Sequence, residues 1–266
     1  MKKRIIGFIG GGNMAAALIG GLLKNKVSAE GILVSEPDAG RAEKVKKDFG
    51  VTCVSDNSTL AAKADVIVFA VKPQVIPTVA KELRGKMDDK LVISIIAGKK
   101  IAWLAGELNA ARVVRVMPNT PAMAGQGMSA LSYSDAVRDN DKTFARDMFT
   151  AVGRVMECDE KHLDTVTAVS GSGPAYAFAF IEAMADAAKE HGLSYDAAVM
   201  LAAQTFLGAA VMVQTSGLTP EQLRKNVTSP NGTTEAALKV YNERGVHEII
   251  GAMIAAAKKR SEELSA

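Results

Sequence analysis

The sequence predicts a chain in two parts: an α/β doubly wound parallel sheet over residues 1–161, and an all-α region over residues 162–266. Three observations carry this expectation. Short apolar runs alternate with helix-forming runs through the first part, the grammar of a parallel sheet covered by helices. The first apolar run breaks at Gly10-Gly11-Gly12 and continues at once as a helical stretch. Beyond His162 the strand-like runs vanish and Ala-rich helical runs take over.

In chain order, residues 3–9 read as the first strand and 13–24 as the first helix. Residues 31–35 form the second strand, ending at Glu36-Pro37-Asp38, and 41–49 a helix. Residues 51–54 read as a short strand, and Asn57-Ser58-Thr59 offers a cap for a short helix to residue 64. Residues 66–71 are continuously apolar, as expected of a strand buried on both faces. Lys72-Pro73 then opens a helix to about residue 83. Residues 91–95 form another buried strand, followed by a turn at Gly98 and a helix to 108. A strand over 112–117 ends in Pro118-Asn119-Thr120-Pro121. Two later strands, 128–133 and 154–157, flank a helix over 139–152. Helices are expected at 163–190, interrupted by Gly171-Ser172-Gly173-Pro174, and at 194–214, 219–225, 233–243 and 245–263. Thr219-Pro220 is a good helix start, a Thr cap followed by proline at the first helical position.

Bulk properties exclude several functions. The 48% apolar fraction is ample for a packed core. A net charge of +3 is too small to argue for nucleic acid, and Lys2-Lys3-Arg4 and Lys258-Lys259-Arg260 read as solvated ends. Cys53 and Cys158 are unlinked singletons, which fits a reducing, cytoplasmic compartment with no disulfide framework. His162, His191 and His247 lack metal-ligand spacing, so no metal site is expected. The N-terminal apolar run is too short for a signal peptide. Residues 197–213 contain only Gln204 and Thr205 as polar positions, near the lower limit for a membrane span. Their Ala/Gly content and amphipathic neighbours favour a buried helix over a membrane one. The first two helical runs are apolar on nearly every face and need burial all round. About 100 residues cannot wrap them alone, so a second copy is expected to cover them, as an obligate homodimer.

The chemistry starts at the glycine-rich turn. Gly10, Gly12 and Ala15 fit G-x-G-x-x-A between a strand and a helix, the fingerprint of a Rossmann-type dinucleotide site. Gly10 permits the tight turn, Gly12 lets the backbone approach a pyrophosphate, and Ala15 lets the helix lie close on the strand. Gly11, Asn13 and Met14 complete the turn and the helix start, whose N–H groups and dipole face an anion. Ligands in such sheets bind beyond the carboxyl ends of the strands. Those ends carry Ser35-Glu36, Ala70-Val71-Lys72-Pro73, Ala97-Gly98 and Pro118-Asn119-Thr120-Pro121. The residue closing the second strand reads the adenosine ribose. Glu36 there favours NAD; Ser35 there admits NADP, with Arg41 as a phosphate partner. Register alone leaves both open.

A second informative stretch is Asn226-Val227-Thr228-Ser229-Pro230-Asn231-Gly232-Thr233-Thr234-Glu235. Asn231-Gly232 is a turn signal, and Thr233 or Thr234 can cap the following helix. Free N–H groups and hydroxyls there suit a small carboxylate. A hydroxyacid dehydrogenase would need a positioned Lys or other base in the helical region, and no lysine on an apolar helix face is found. A non-catalytic nucleotide sensor would need the glycine turn but not this loop.

Together these residues resemble the pyrroline-5-carboxylate reductase family. The resemblance runs nearly end to end, through Ile9-Gly10-Gly11-Gly12-Asn13-Met14, Ala70-Val71-Lys72-Pro73, Arg115-Val116-Met117-Pro118-Asn119-Thr120-Pro121 and Ser170-Gly171-Ser172-Gly173-Pro174-Ala175-Tyr176. Its most specific part is Val227-Thr228-Ser229-Pro230-Asn231-Gly232-Thr233-Thr234. It implies reduction of 1-pyrroline-5-carboxylate to L-proline with NADPH or NADH, NADPH slightly favoured. It also implies a homodimer that can assemble further, with an active site where the two domains meet. Thr234 is then expected to hydrogen-bond the ring nitrogen. Ser229, Gly232, Thr233 and Thr234 are expected to cradle the substrate carboxylate. Asn57 is implied at the cofactor ribose, and Ala70, Lys72, Pro73 and Ala97 along the cofactor path. Members of that family commonly carry glycine where this chain has Asn231.

Overall fold

The computed structural model describes residues 4–265. Lys2 and Lys3 of the N-terminal basic cluster, and the start of the expected first strand, lie outside them. In order, the elements are β1 (Ile6–Ile9), α1 (Asn13–Lys24), β2 (Ile32–Ser35), α2 (Ala39–Phe49), β3 (Thr52–Val54), α3 (Asn57–Lys63) and β4 (Val66–Phe69). Then come α4 (Ile76–Leu83), β5 (Leu91–Ser94), α5 (Ile101–Leu108), β6 (Val113–Met117), β7 (Gly127–Tyr133), α6 (Asp139–Thr150) and β8 (Gly153–Glu157). The rest is helical: α7 (Leu163–Val166), α8 (Gly173–Glu190), α9 (Tyr195–Thr215), α10 (Pro220–Asn226), α11 (Thr233–Glu243) and α12 (Val246–Ser265).

Among the described residues the strands form one sheet in the order β3-β2-β1-β4-β5-β6-β7-β8. β1 lies between β2 and β4, so the strand order reverses there, the place where such sheets leave a crevice. The sheet is doubly wound and parallel as expected except at one pairing: β7 runs antiparallel to β6. The link between them is a short 3-10 segment, Thr120–Ala124, with no crossover helix. Parallel pairing needs a crossover of a dozen or more residues, so this link returns the chain antiparallel. The α6 crossover then restores parallel pairing for β8.

The inner strands read as continuous apolar runs because both faces are covered. Every residue of β1 and β4 is buried. Phe8, Val66, Val68 and Ile93 pack with α1 residues Leu18 and Ile19 on one face. Ile67, Phe69 and Val92 pack with Leu60, Ile76 and Leu104 on the other. Burial of each such side chain stabilises the fold by about 1.5–3 kcal/mol. α3 lies close on β1 because Gly7 has no side chain; a Cβ there would overlap the Leu60 side chain.

Two helix starts differ from expectation. Asp56, not Asn57, caps α3: its carboxylate accepts from Thr59 N–H at 2.7 Å. That bond, with those from the Ser55 and Thr59 hydroxyls, holds its carboxyl at about 2. Lys72-Pro73 does not open α4, which begins at Ile76 with Pro77 in its first turn. Lys72 and Pro73 instead form an exposed turn beyond β4, because the apolar face that docks the helix starts only at Ile76.

The contacts divide the chain into two compact units, Met1–Ser172 with Ala257–Ala266, and Gly173–Ala256. The division falls after Ser172, later than residue 161. Leu163 and Ala168 are fully buried, and Asp164 accepts a 2.6 Å bond from the Ser261 hydroxyl within the first unit. In the second unit α8 and α9 pack together, with the Phe180 and Phe206 rings 6.4 Å apart. The expected burial of these two helices is not met within one chain. On α9 only Ala198 and Ala202 are buried, while Phe178 of α8 and Met200 of α9 are 64% and 66% exposed. α9 is long and apolar enough to cross a membrane by length and composition, with mean hydropathy 1.6.

A buried ion cluster joins Arg4, just before β1, to the start of α6 and the approach to β6. Asp141, 1% exposed, meets Arg4 at 2.7 Å and Arg112 at 2.8 Å. Burial pushes its carboxyl up, but the bonds from Arg112 and Arg4 outweigh it and hold the group below the ordinary carboxylate range. Removing one partner of a buried ion pair leaves an uncompensated charge. Asp141→Asn should therefore lower unfolding stability by about 3 kcal/mol at neutral pH. Because the folded pKa is depressed, the stabilisation is present above about pH 4 and is lost as pH falls further. Denaturant titrations of both proteins at pH 7 and pH 3 should show the gap narrowing in acid.

Candidate active site

The turn leaving β1 is built by backbone constraint. Gly10 has φ +98°, and a Cβ there would stand 2.7 Å from the Ala70 carbonyl oxygen. Gly10 N–H donates to Ser35 carbonyl at 2.8 Å, and Ala70 N–H to Ile9 carbonyl at 2.9 Å. The ends of β1, β2 and β4 are thus tied at one point. A Cβ on Gly12 would meet no atom within 4 Å among the described residues, so this glycine faces open space. Gly12 is the N-cap of α1 and offers no side chain, leaving the first-turn N–H groups for an outside acceptor. Ala15 is buried against the strand. Gly11, Gly12 and Asn13 line a cleft of about 450 Å³ with Arg41, Lys44 and Met123.

The residues at the strand ends sort by what they already touch. Ser35 is buried, and its hydroxyl donates to Asn57 Oδ1 at 2.8 Å. Asn57 Nδ2 donates in turn to Glu82 Oε2 at 2.9 Å. Glu82 has no local sequence signal; it lies in α4, and tertiary packing brings it to Asn57. Glu36 accepts from Gly11 N–H at 2.9 Å, from Asp38 N–H at 3.0 Å and from Arg41 at 3.0 Å. Ala70, Val71 and Ala97 are half-buried just beyond β4 and β5, while Lys72 and Pro73 are exposed. Met14 is half-buried in the first turn of α1.

The Pro118-Asn119-Thr120-Pro121 shelf is held by Asn119. Its Oδ1 accepts from Met128 N–H at 2.8 Å, and its Nδ2 donates to the carbonyl and hydroxyl of Ser170 at 3.2 Å. Ser170 sits in Thr167–Gly171, a wide helical turn closed by Ser172 N–H to Thr167 carbonyl at 2.8 Å. Gly171 there packs against Met117, so this stretch is a close-packing site.

The second unit has its own informative loop, the one before α11. Asn231 has φ +57°, the left-handed region that glycine fills most easily and asparagine tolerates best after it. Asparagine can therefore take this turn position in place of the glycine that the resemblance implies. Gly232 N–H donates to Ser229 carbonyl at 3.0 Å. Gly232, not Thr233 or Thr234, is the N-cap of α11, and no side-chain cap is present among the described residues. Both threonines are the first helical residues, since a cap must be extended and only Gly232, at ψ 171°, is. Glu235 was not among the expected residues. Its carboxylate accepts from Asn231 N–H at 2.8 Å and fixes the turn. An acidic residue in the first turn of a helix was the available signal.

The chemistry of the parts is consistent. One unit holds an anion-ready helix start beneath a glycine turn; the other holds a second such start whose first helical residues are Thr233 and Thr234, with Ser229 three residues before the cap. No group of His, Cys, Asp and Glu that could hold a metal ion occurs among the described residues.

Residues 160–264 match the model of pyrroline-5-carboxylate reductase dimerisation, and residues 5–98 that of NADP oxidoreductase coenzyme F420-dependent. A pyrroline-5-carboxylate reductase from Pseudomonas aeruginosa is 44% identical over 268 residues, covering 100% of this chain and 98% of that one. The structure of a pyrroline-5-carboxylate reductase from Coxiella burnetii superposes with TM-score 0.94 at 38% identity, covering 100% of both chains. That of a Plasmodium falciparum pyrroline carboxylate reductase with NADP bound gives 0.90 at 32% identity, again over 100% of both. The chain is an oxidoreductase with an NAD(P)-type nucleotide domain, and it belongs to the pyrroline-5-carboxylate reductase family.

Proposed function

We infer that the chain reduces 1-pyrroline-5-carboxylate to L-proline, the last step of proline biosynthesis, using NADPH or NADH. The observation that carries this reading is the start of α11. A helix N-terminus without a side-chain cap, next to Ser229, Thr233 and Thr234, suits a small carboxylate carrying a ring nitrogen. Ser229, Gly232, Thr233 and Thr234 hold the carboxylate, and the Thr234 hydroxyl orients the imine nitrogen. Bound dihydronicotinamide supplies hydride to the imine carbon. A protonated imine is already a good electrophile, so the protein's task is to align two reactants. The absence of a histidine or lysine acid–base group from this scheme follows from that chemistry.

The fit of a dinucleotide rests on Gly10, Gly11, Gly12, Asn13 and Met14, which leave open space above an uncapped helix start. Ala70, Val71, Lys72, Pro73 and Ala97 border its path toward the nicotinamide, and Ser35, Glu36 and Asn57 its ribose end. A similar structure, from Plasmodium falciparum, has NADP bound, so NADPH stands beside NADH in this reading. The exposed apolar faces of α8 and α9 support a homodimer able to assemble further, with a second copy covering them. This also reads α9 as an interface helix. Two unpaired thiols, Cys53 and Cys158, support a cytoplasmic setting.

The decisive experiment follows oxidation of NADPH and of NADH with pyrroline-5-carboxylate; folded protein that oxidises neither refutes the activity. Thr234→Ala should lower kcat by about 100-fold while leaving the dinucleotide Kd unchanged. Equal turnover would remove Thr234 from the mechanism. Gly12→Ser should do two opposite things. A hydroxyl cap should raise thermal stability by a few tenths of a kcal/mol, roughly. It should also occupy the N–H groups meant for pyrophosphate and weaken dinucleotide binding about tenfold by calorimetry.

A further inference from the structure

We infer that Glu36 is the specificity-determining residue of the nucleotide half-site and selects the dinucleotide with a free 2′-hydroxyl, NADH, over its 2′-phosphorylated form. The inference rests on the dinucleotide reading above and decides what that reading leaves open.

Ser35 and Glu36 are the two candidates for the ribose, and the structure separates them. Ser35 closes β2 in register with Ile9, but its side chain is buried and its hydroxyl is spent on Asn57. Glu36 turns the other way, onto the glycine loop. A Cβ on Gly11 would stand 3.4 Å from Glu36 Cβ and 3.5 Å from its Cγ, so the Glu36 stem lies along that residue. The side chain is 5% exposed, and Gly11 N–H fixes one carboxylate oxygen at 2.9 Å. The carboxylate is therefore held beside the middle residue of G-x-G. It offers about four acceptor positions, of which Gly11, Asp38 and Arg41 use three. One remains for a donor, and a 2′-hydroxyl is a donor.

A 2′-phosphate would meet different chemistry there. It brings about two negative charges and needs cations and N–H donors. The charged groups around Glu36 are Asp38, Arg41 and Lys44; Lys24, which lines the same cleft, is at the other end of α1. Arg41 is held by Glu36 at 3.0 Å and stands 4.0 Å from Asp38. Lys44 is paired with Asp48 at 2.6 Å. Each cation already has a carboxylate partner, and the phosphate would have to displace Glu36 from Arg41 while lying beside it. Like charges so placed disfavour the phosphorylated ligand.

Isothermal titration calorimetry of the whole protein with NADH and NADPH, without substrate, tests this. The native protein should bind NADH about tenfold more tightly. Glu36→Gln keeps an acceptor for Gly11 N–H but removes the charge, and should erase most of that ratio, chiefly by tightening NADPH. Arg41→Ala should widen the preference for NADH. If Arg41 is instead the phosphate partner, the native protein will favour NADPH and Arg41→Ala will abolish that preference; either result overturns the inference. An unchanged ratio in folded Glu36→Gln also overturns it. If the folded protein binds neither dinucleotide, the cofactor reading itself fails, and with it this inference.

Discussion

Three strand ends meet at Gly10, and the first unit is arranged around that meeting. Its N–H reaches the end of β2, and the Ala70 carbonyl at the end of β4 leaves no room for a Cβ. Strand pairing on both sides of β1 requires the chain to leave at this height, and the positive φ requires glycine to do it. The next residue donates to Glu36, and the one after opens α1 onto empty space. The cleft follows from a sheet whose order reverses at β1, because helices on opposite faces then diverge from one point.

The second unit solves a different problem with the same device. The Ser229–Thr234 loop also ends in a glycine that caps a helix without a side chain, and a carboxylate, Glu235, braces it as Glu36 braces the first. In both, main-chain donors are held ready and the nearby acid fixes the turn. The two differ in exposure: the glycine turn lies on a dry sheet, whereas the α8 and α9 surfaces beside the loop's own unit expose large apolar side chains. One chain buries the first unit's core but leaves large apolar side chains of α8 and α9 exposed.

The glycine turn, the hydroxyl-rich loop and the family are legible in the residues because each depends on local backbone rules, whereas the threonine cap expected at that loop is replaced by Gly232. Gly10 and Gly12 are needed by φ and by approach, and Asn231 satisfies a left-handed position that glycine would also fill. Errors arose where partners are distant. Asn57 looked like a cap, but Asp56 beside it reaches Thr59 N–H, and Asn57 is drawn instead to Ser35 and Glu82. Lys72-Pro73 looked like a helix start, yet the docking face at Ile76 sets where α4 begins. The reversal at β7 was hidden because an apolar run carries no direction, and only the length of the Thr120–Ala124 link betrays it.

By itself the sequence determined the alternation of strands and helices, the glycine turn and the hydroxyl-rich loop, since hydrophobic period and backbone permission act within a few residues. It also showed that the runs forming α8 and α9 are apolar on nearly every face. Only the tertiary structure showed that Glu36, and not Ser35, lies against the glycine loop. Adjacent residues leaving a strand point to opposite sides, and which side holds the glycine loop depends on how β1 and β2 pair.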